Sequence, residues 1–93
     1  MIVGVMTVDL AVFEAQSLKD KRRFVLSLKT RMREAFNVSV AEVAHGDSPK
    51  RCRLGIAVVG VEARGLHAQL DKIVEMIRRA PGLTLLDYER QMV

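Results

Sequence analysis

Residues Ser17–Phe36 read SLKDKRRFVLSLKTRMREAF, and this stretch decides the fold of the chain. It opens with a serine, which caps helix N-termini well, and Asp20 three residues later makes an approximate capping box. Apolar residues then recur at the three- and four-residue spacing of one helix face. They are Leu18, Val25, Leu28, Met32 and Phe36. The stretch is therefore predicted to be an amphipathic helix whose apolar face packs into a core.

The same stretch carries the positive charge of the chain. It contains seven bases and two acids, whereas the other residues contain eight bases and nine acids, so the net charge of +4 comes from this element. Several of the bases lie in the first turns, where each cation opposes the helix dipole by roughly 0.3–1 kcal/mol. This uneven placement indicates anion binding, and a merely solvated, solubilising helix face is the alternative.

A second line of residues, stepping by three or four positions, runs beside the apolar face and is mostly cationic. It comprises Lys19, Arg22, Leu26, Lys29 and Arg33. Because residues at this spacing share one flank of a helix, the four cations of this line are expected to lie together on that flank.

Length and composition are those of one small globular domain. Ninety-three residues, 49% hydrophobic and 28% charged, suit a single domain over residues 1–93. The chain has one cysteine, Cys52, so an internal disulfide is excluded, and a cytoplasmic protein with a buried, inert thiol is expected. The N-terminal apolar run lacks a basic segment and contains Asp9, so neither a secretory signal nor membrane association is expected.

Turn residues and apolar patterns divide the rest of the chain into further elements. Strands are predicted at Met1–Phe13, Val38–Ala44, Lys50–Val59 and Leu83–Gln91, and a second helix at Leu66–Ala80. The resulting order, β-α-β-β-α-β, predicts a ferredoxin-like α+β fold. In that fold a four-stranded antiparallel sheet carries both helices on one face.

The first and third predicted strands are apolar on both of their faces. In the first strand Val3 and Val5 alternate with the apolar residues of the opposite face, Met6 and Val8. A strand with one solvated face should alternate apolar and polar residues. The helix-free face is therefore predicted to meet a second copy of the chain, a homodimer, and a monomer with a smooth face of small residues is the alternative.

The topology also predicts that three basic clusters meet at one end of the domain. The start of the first helix, the turn between the second and third strands and the end of the second helix all lie there. Cations are common at helix C-termini and on exposed sheet edges, which is the structural alternative. Together the clusters predict a positive pole suited to phosphate, above all to an RNA backbone. The predicted RNA- or anion-binding residues, on this pole and along the first helix, are Lys19, Lys21, Arg22, Arg23, Lys29, Arg33, Lys50, Arg51, Arg78 and Arg79.

The sequence carries no signature of an enzyme. Its two histidines and one cysteine lie without metal-ligand spacing, and no glycine-rich phosphate loop occurs, so no metal or cofactor is expected. Small acylphosphatases share this fold and size, but their glycine-rich loop with an arginine is replaced here by residues 13–17, FEAQS. The third strand has no aromatic residue for base stacking, so sequence reading of RNA or DNA is not expected.

Four segments of the chain resemble the YlxP-like family of small bacterial proteins, which contain a domain of unknown function. They are Met1–Val5, Ser17–Arg22, Phe36–Val43 and Leu54–Gly60. The resemblance covers nearly the whole chain, and it implies a ferredoxin-like fold and a cytoplasmic bacterial protein. Members are often encoded beside translation initiation and ribosome maturation factors, which suggests a link to ribosomes or RNA. It implies no catalytic residue. The chain departs from the family at Ser48-Pro49-Lys50, where relatives often have a Trp-Gln pair.

Three functions follow from these observations. The favoured one is a non-catalytic RNA- or ribosome-associated binding protein that uses the basic helix and the pole. The second is a dimeric interaction module whose basic helix docks on an acidic protein. The third is a small-ligand or enzymatic domain that binds an anionic substrate near Ser17 and Lys19, at the start of the first helix.

Overall fold

The computed structural model describes every residue from Met1 to Val93. Its elements are β1 (Ile2–Ala11), α1 (Leu18–Ala35), β2 (Ser39–Ala44), β3 (Arg51–Gly60), α2 (Ala63–Arg78) and β4 (Thr84–Met92). The strands form one antiparallel sheet in the order β2-β3-β1-β4. This arrangement confirms the predicted ferredoxin-like α+β fold.

Three predicted boundaries differ from the structure by two or three residues, and one of them is the end of the second helix, which lies at Arg78 and not at Ala80. The first strand ends at Ala11, not at Phe13, because Val12 and Ala15 already form a turn in which the Ala15 N–H donates to the Val12 carbonyl. The second helix begins at Ala63, three residues before the predicted start. Its cap residue, Glu62, makes no side-chain capping bond, so the sequence holds no start signal there.

The core lies between the sheet and the two helices. On β1 the alternate residues Met6, Val8 and Leu10 are buried beneath the helices, as the two-residue period of a strand requires. From α1 the predicted apolar residues Val25 and Leu28 are buried against them. In all, 20 buried apolar residues form one contiguous core.

The pole, formed by residues 17–23, 45–51 and 78–82, collects the chain segments that the topology predicts. Ala11 at the end of β1 pairs with Arg51 on one side and with Thr84 on the other. Gly82, just after α2, has a φ of +78° and lies so close to Phe24 of α1 that a Cβ would stand 2.6 Å from the ring. This glycine therefore lets the end of α2 approach the first half of α1.

The open face is the face of the sheet opposite the helices, and it has two halves. The apolar half runs from the end far from the pole across to the β2 edge, and it comprises Val3, Val5, Ala41, Val43, Ala57 and Val59. The charged half lies toward the pole and the β4 edge, and it comprises Asp9, Arg51, Arg53, Asp87 and Glu89. Neither helix is both long enough and apolar enough to cross a membrane.

Candidate nucleic-acid interface

The start of α1 is held by the capping box that the sequence predicts. Ser17 Oγ accepts a hydrogen bond from the Asp20 backbone N–H at 3.0 Å, and Asp20 Oδ2 accepts one from the Gln16 backbone N–H at 3.1 Å. The Asp20 carboxylate also pairs with Arg23. The cap therefore fixes the first turn at the pole and neutralises one of the cations beside it.

The α1 stripe consists of Lys19, Arg22, Leu26, Lys29 and Arg33, the line of residues that the helical period predicts. It runs along the flank of α1 that faces β2, where the Arg33 guanidinium donates to the Val40 carbonyl at 2.9 Å. None of its four cations forms an ion pair with a carboxylate. Leu26, between them, is 57% exposed. The stripe is thus a row of positive charges without paired carboxylates. At the helical rise of about 1.5 Å per residue, it is about 21 Å long from Lys19 to Arg33.

Lys21 does not belong to this surface, and the prediction that it binds anions is wrong. Its side chain is entirely buried, with 0% exposure, and its ammonium group donates to the Glu42 carboxylate and, at 3.0 Å, to the His45 carbonyl. The cause is its position, because Lys21 precedes Val25 and Leu28 by four and seven residues and so lies on the buried face. That spacing is the signal that could have identified it.

The buried Lys21–Glu42 pair joins α1 to β2 and to the turn that follows. His45, whose carbonyl Lys21 bonds, has a φ of +65°, in the left-handed region that few side chains adopt without support. Cys52 of β3 is buried in the same region. Burial, with a smaller contribution from the Glu42 carboxylate, raises the pKa of its thiol to about 12, so the thiol stays neutral at physiological pH.

Lys50 holds the pole together and is only partly available to a ligand. Its ammonium group donates to the Phe13 carbonyl at 3.1 Å and to the Ala15 carbonyl, so it fastens the β2–β3 turn to the segment between β1 and α1. Its role is therefore structural as well as electrostatic. The sequence gives no sign of these two bonds, because they join positions more than 30 residues apart.

The three basic clusters share the pole, but their side chains face different surfaces. Arg51 pairs with Ala11 and shares the open face with it, away from the α1 stripe. Arg78 is paired with Glu75 at 3.2 Å. Arg79 lies beside Arg31, which is on the flank of α1 opposite the stripe. The topology fixes which ends of the elements meet and leaves the direction of each side chain open, so among the predicted binding residues only those of the α1 stripe form a continuous row.

The charged half of the open face is a second polar cluster that the sequence does not reveal. Arg53 donates to Asp9 at 2.7 Å across the β1–β3 pair. This hydrogen bond holds the pKa of the Asp9 carboxyl below its ordinary value. Asp87 and Glu89 of β4 lie alongside and leave this half of the face acidic. No group of three or more histidine, cysteine, aspartate or glutamate side chains is placed to hold a metal ion.

Comparisons with known proteins place the chain in a family. A family model described as a protein of unknown function, DUF503, matches residues 3–90. A relative, the uncharacterised protein YlxP of Bacillus subtilis (strain 168), is 29% identical over 82 residues, which are 88% of this chain and 89% of the relative. A solved structure, the de novo designed protein Foldit4, matches 100% of this chain and 97% of its own with a TM-score of 0.55 and 14% identity, which shows the fold alone. These matches confirm the resemblance to the YlxP-like family, and the chain belongs to the DUF503 family of proteins of unknown function.

Proposed function

We propose that this protein is a non-catalytic RNA- or ribosome-associated binding protein of the cytoplasm that holds an RNA phosphate backbone along the α1 stripe. One observation carries the proposal: the four cations of the stripe lie in a row on one helix flank and no carboxylate pairs with any of them. Most other cations at the pole are paired with carboxylates or bonded to backbone carbonyls, whereas in the stripe only Arg33 makes such a bond, so the stripe is where a polyanion gains most.

The chemistry of the stripe suits backbone contacts and not base reading. Arginine forks and lysine ammonium groups both bind phosphate oxygens well. The stripe holds no aromatic side chain on which a base could stack. Binding should therefore depend weakly on RNA sequence and strongly on salt, with a slope of log K against log salt of about −3 for four contacts to a single strand.

Binding of a short unstructured RNA, followed by fluorescence anisotropy at several salt concentrations, tests this proposal. The triple variant Lys19→Glu, Arg22→Glu and Lys29→Glu should lose more than tenfold in affinity and show a shallower salt slope. The matched control is Arg51→Glu, Arg64→Glu and Lys72→Glu, which changes the net charge equally on other surfaces.

The control variant should keep most of the affinity, because its cations lie outside the stripe. Equal losses in both triple variants would mean that only the net charge matters and would overturn the proposal. If wild-type protein binds no RNA but is retained by an acidic protein after nuclease treatment, the stripe docks on protein instead.

We also propose that the apolar half of the open face pairs with a second copy of the chain. Val43 and Val59 are 57% and 53% exposed there, although both belong to strands. This half bears no charged side chain, so a two-fold axis through it would put apolar surface on apolar surface and leave both charged halves in water. The spacing between strands and the rise per residue give this apolar half an area of about 14 Å by 16 Å. This area is small for a protein–protein interface, so a weak dimer is expected.

Sedimentation equilibrium over a range of concentrations tests this pairing. Wild-type mass should rise toward twice the monomer at roughly millimolar concentration, whereas Val43→Lys with Val59→Lys should remain monomeric. Val61→Lys is the control, because Val61 is 90% exposed but follows β3 outside the open face. A wild-type mass that stays monomeric throughout would exclude the dimer.

A further inference from the structure

A groove of about 530 Å³ runs between α1 and α2 on the outer side of the helical layer. It is lined by Arg31 of α1 and by Asp71, Lys72, Glu75, Met76 and Arg79 of the second helix and its C-cap. Arg31 lies two positions from both Lys29 and Arg33, which turns it about 200° around the helix from each. The groove is therefore on the opposite flank of α1 from the stripe and forms a separate surface.

The charge of this groove is more positive than its composition suggests. Its two acids are engaged with cations outside the lining: Asp71 pairs with Arg90 at 2.9 Å, and Glu75 pairs with Arg78 at 3.2 Å. Its three cations, in contrast, form no ion pair. They are Arg31, Lys72 and Arg79. Two elements thus present three uncompensated positive charges to one concave surface.

We propose that this groove binds a nucleoside phosphate, with the phosphate held by the three cations and the nucleoside against Met76. Arginine forks from α1 and from the C-cap of α2 suit a phosphate, which accepts several hydrogen bonds at once. Met76 is half-buried and is the one apolar residue of the lining, so it offers a contact for a flat base. The volume falls within the roughly 300–1,000 Å³ typical of small-molecule sites.

One local effect opposes the phosphate. The groove reaches the C-terminal end of α2, where the helix dipole places about half a negative charge. Three full positive charges outweigh it, and Arg79, as the C-cap residue, lies where that dipole favours a cation. The net field in the groove therefore attracts an anion.

NMR titration of the protein with ADP tests the inference, with adenosine and inorganic phosphate as the two partial ligands. ADP at up to about 5 mM should shift the backbone amides around Arg31, Lys72 and Arg79 in a saturable way. Phosphate alone should shift the same amides more weakly, and adenosine should shift them least, because the phosphate carries most of the attraction. Arg31→Gln and Arg79→Gln should each weaken ADP binding about tenfold.

The control variant is Arg64→Gln, which removes an exposed, unpaired cation from the start of α2, outside both the groove and the α1 stripe, and should leave ADP binding unchanged. The inference is overturned if ADP shifts none of the groove amides, if adenosine shifts them as strongly, or if Arg64→Gln weakens binding as much as Arg31→Gln. None of these outcomes bears on RNA binding by the stripe, so the two proposals fail separately.

Discussion

Lys21 is the one charged side chain that the fold removes completely from water. A buried ammonium group is tolerated only when its donors are used, and here the Glu42 carboxylate and the His45 carbonyl take them. Removal of one partner from such a pair leaves a buried charge without compensation. The resulting loss of stability is much larger than the net stabilisation that the intact pair provides. Lys21 therefore serves stability, although it stands among the residues that the charge pattern assigns to binding.

The first prediction concerns this pair. Lys21→Ala should lower the free energy of unfolding by about 3 kcal/mol, because it leaves the Glu42 carboxylate and the His45 carbonyl without a donor. Urea denaturation followed by circular dichroism measures the loss. Lys19→Ala, two residues away and exposed, is the control and should change stability by less than about 0.5 kcal/mol. Equal effects of the two substitutions would show that the buried pair contributes nothing particular.

The second prediction concerns the ion pair on the open face. In Arg53→Met the pKa of the Asp9 carboxyl should rise toward its ordinary value of 3.8, because the hydrogen bond from Arg53 is the main cause of its depression. The carboxyl ¹³C shift of Asp9, followed from neutral to acidic pH, reports this pKa. Because the folded pKa is depressed, the contribution of Asp9 to stability is present above its ordinary pKa and is lost as the pH falls through the folded value.

Arg51→Met is the control for this titration, because Arg51 acts on Asp9 only through its charge and makes no hydrogen bond to it. It should raise the Asp9 pKa less than Arg53→Met does. A larger rise in Arg51→Met would mean that the general field of the charged half, and not the hydrogen bond, depresses the pKa.

At the scale of the helix, the two helices differ in how they begin. Ser17 caps α1 through the Asp20 N–H, whereas Glu62 at the start of α2 makes no side-chain capping bond. The third prediction is that Ser17→Ala costs about 1 kcal/mol of stability and that Glu62→Ser adds up to about 1 kcal/mol. Thermal unfolding of the two variants beside wild type measures both. If Glu62→Ser lowers the melting temperature as Ser17→Ala does, the assignment of the α2 cap is wrong.

Helices and strands could be predicted from the sequence where the spacing of apolar residues was regular and a capping residue marked the start of the helix. In α1 the cap, the cationic line and the apolar face follow from residue spacing, and the structure confirms them except that Leu18 and Phe36 are only half-buried and Lys21 joins the buried face. The start of α2 could not be predicted, because Glu62 provides no capping signal. The spacing of Lys21 from Val25 indicates that Lys21 lies on the buried face of the helix. Its partner Glu42 is brought to it by the tertiary fold, so the pairing could not be predicted from periodicity.

At the scale of the whole molecule, the topology predicts which segments meet and says little about where their side chains point. Residues 17–23, 45–51 and 78–82 do share one end, since the chain order of a ferredoxin-like fold requires it. Arg51, however, faces the acidic half of the open face, and Arg79 faces the groove between the helices. The molecule is therefore polarised from its basic helix flank to its acidic sheet face, which should orient it on a polyanion with the stripe inward.

Alkaline unfolding of the whole chain gives the last prediction, because Cys52 changes its protonation only when the molecule unfolds. Its pKa is raised by burial to about 12 in the folded state, whereas the ordinary value is 9.0. Above the ordinary value the unfolded thiol releases its proton and the folded thiol keeps it, so stability falls as the pH rises. Between about pH 8 and about pH 10.5, wild type should lose about 2 kcal/mol more unfolding free energy than Cys52→Ala, which cannot ionise there.

The difference between the two proteins in how unfolding free energy changes with pH isolates the thiol, because lysine and tyrosine residues titrate in both. The loss of packing in Cys52→Ala lowers its stability by the same amount at every pH and so does not affect this difference. Urea denaturation at each pH gives the two curves. Converging curves, with wild type losing its advantage as the pH rises, are the expected result. Parallel curves would mean that the Cys52 thiol ionises as easily in the folded protein as in the unfolded chain, which its complete burial beside the Glu42 carboxylate should prevent.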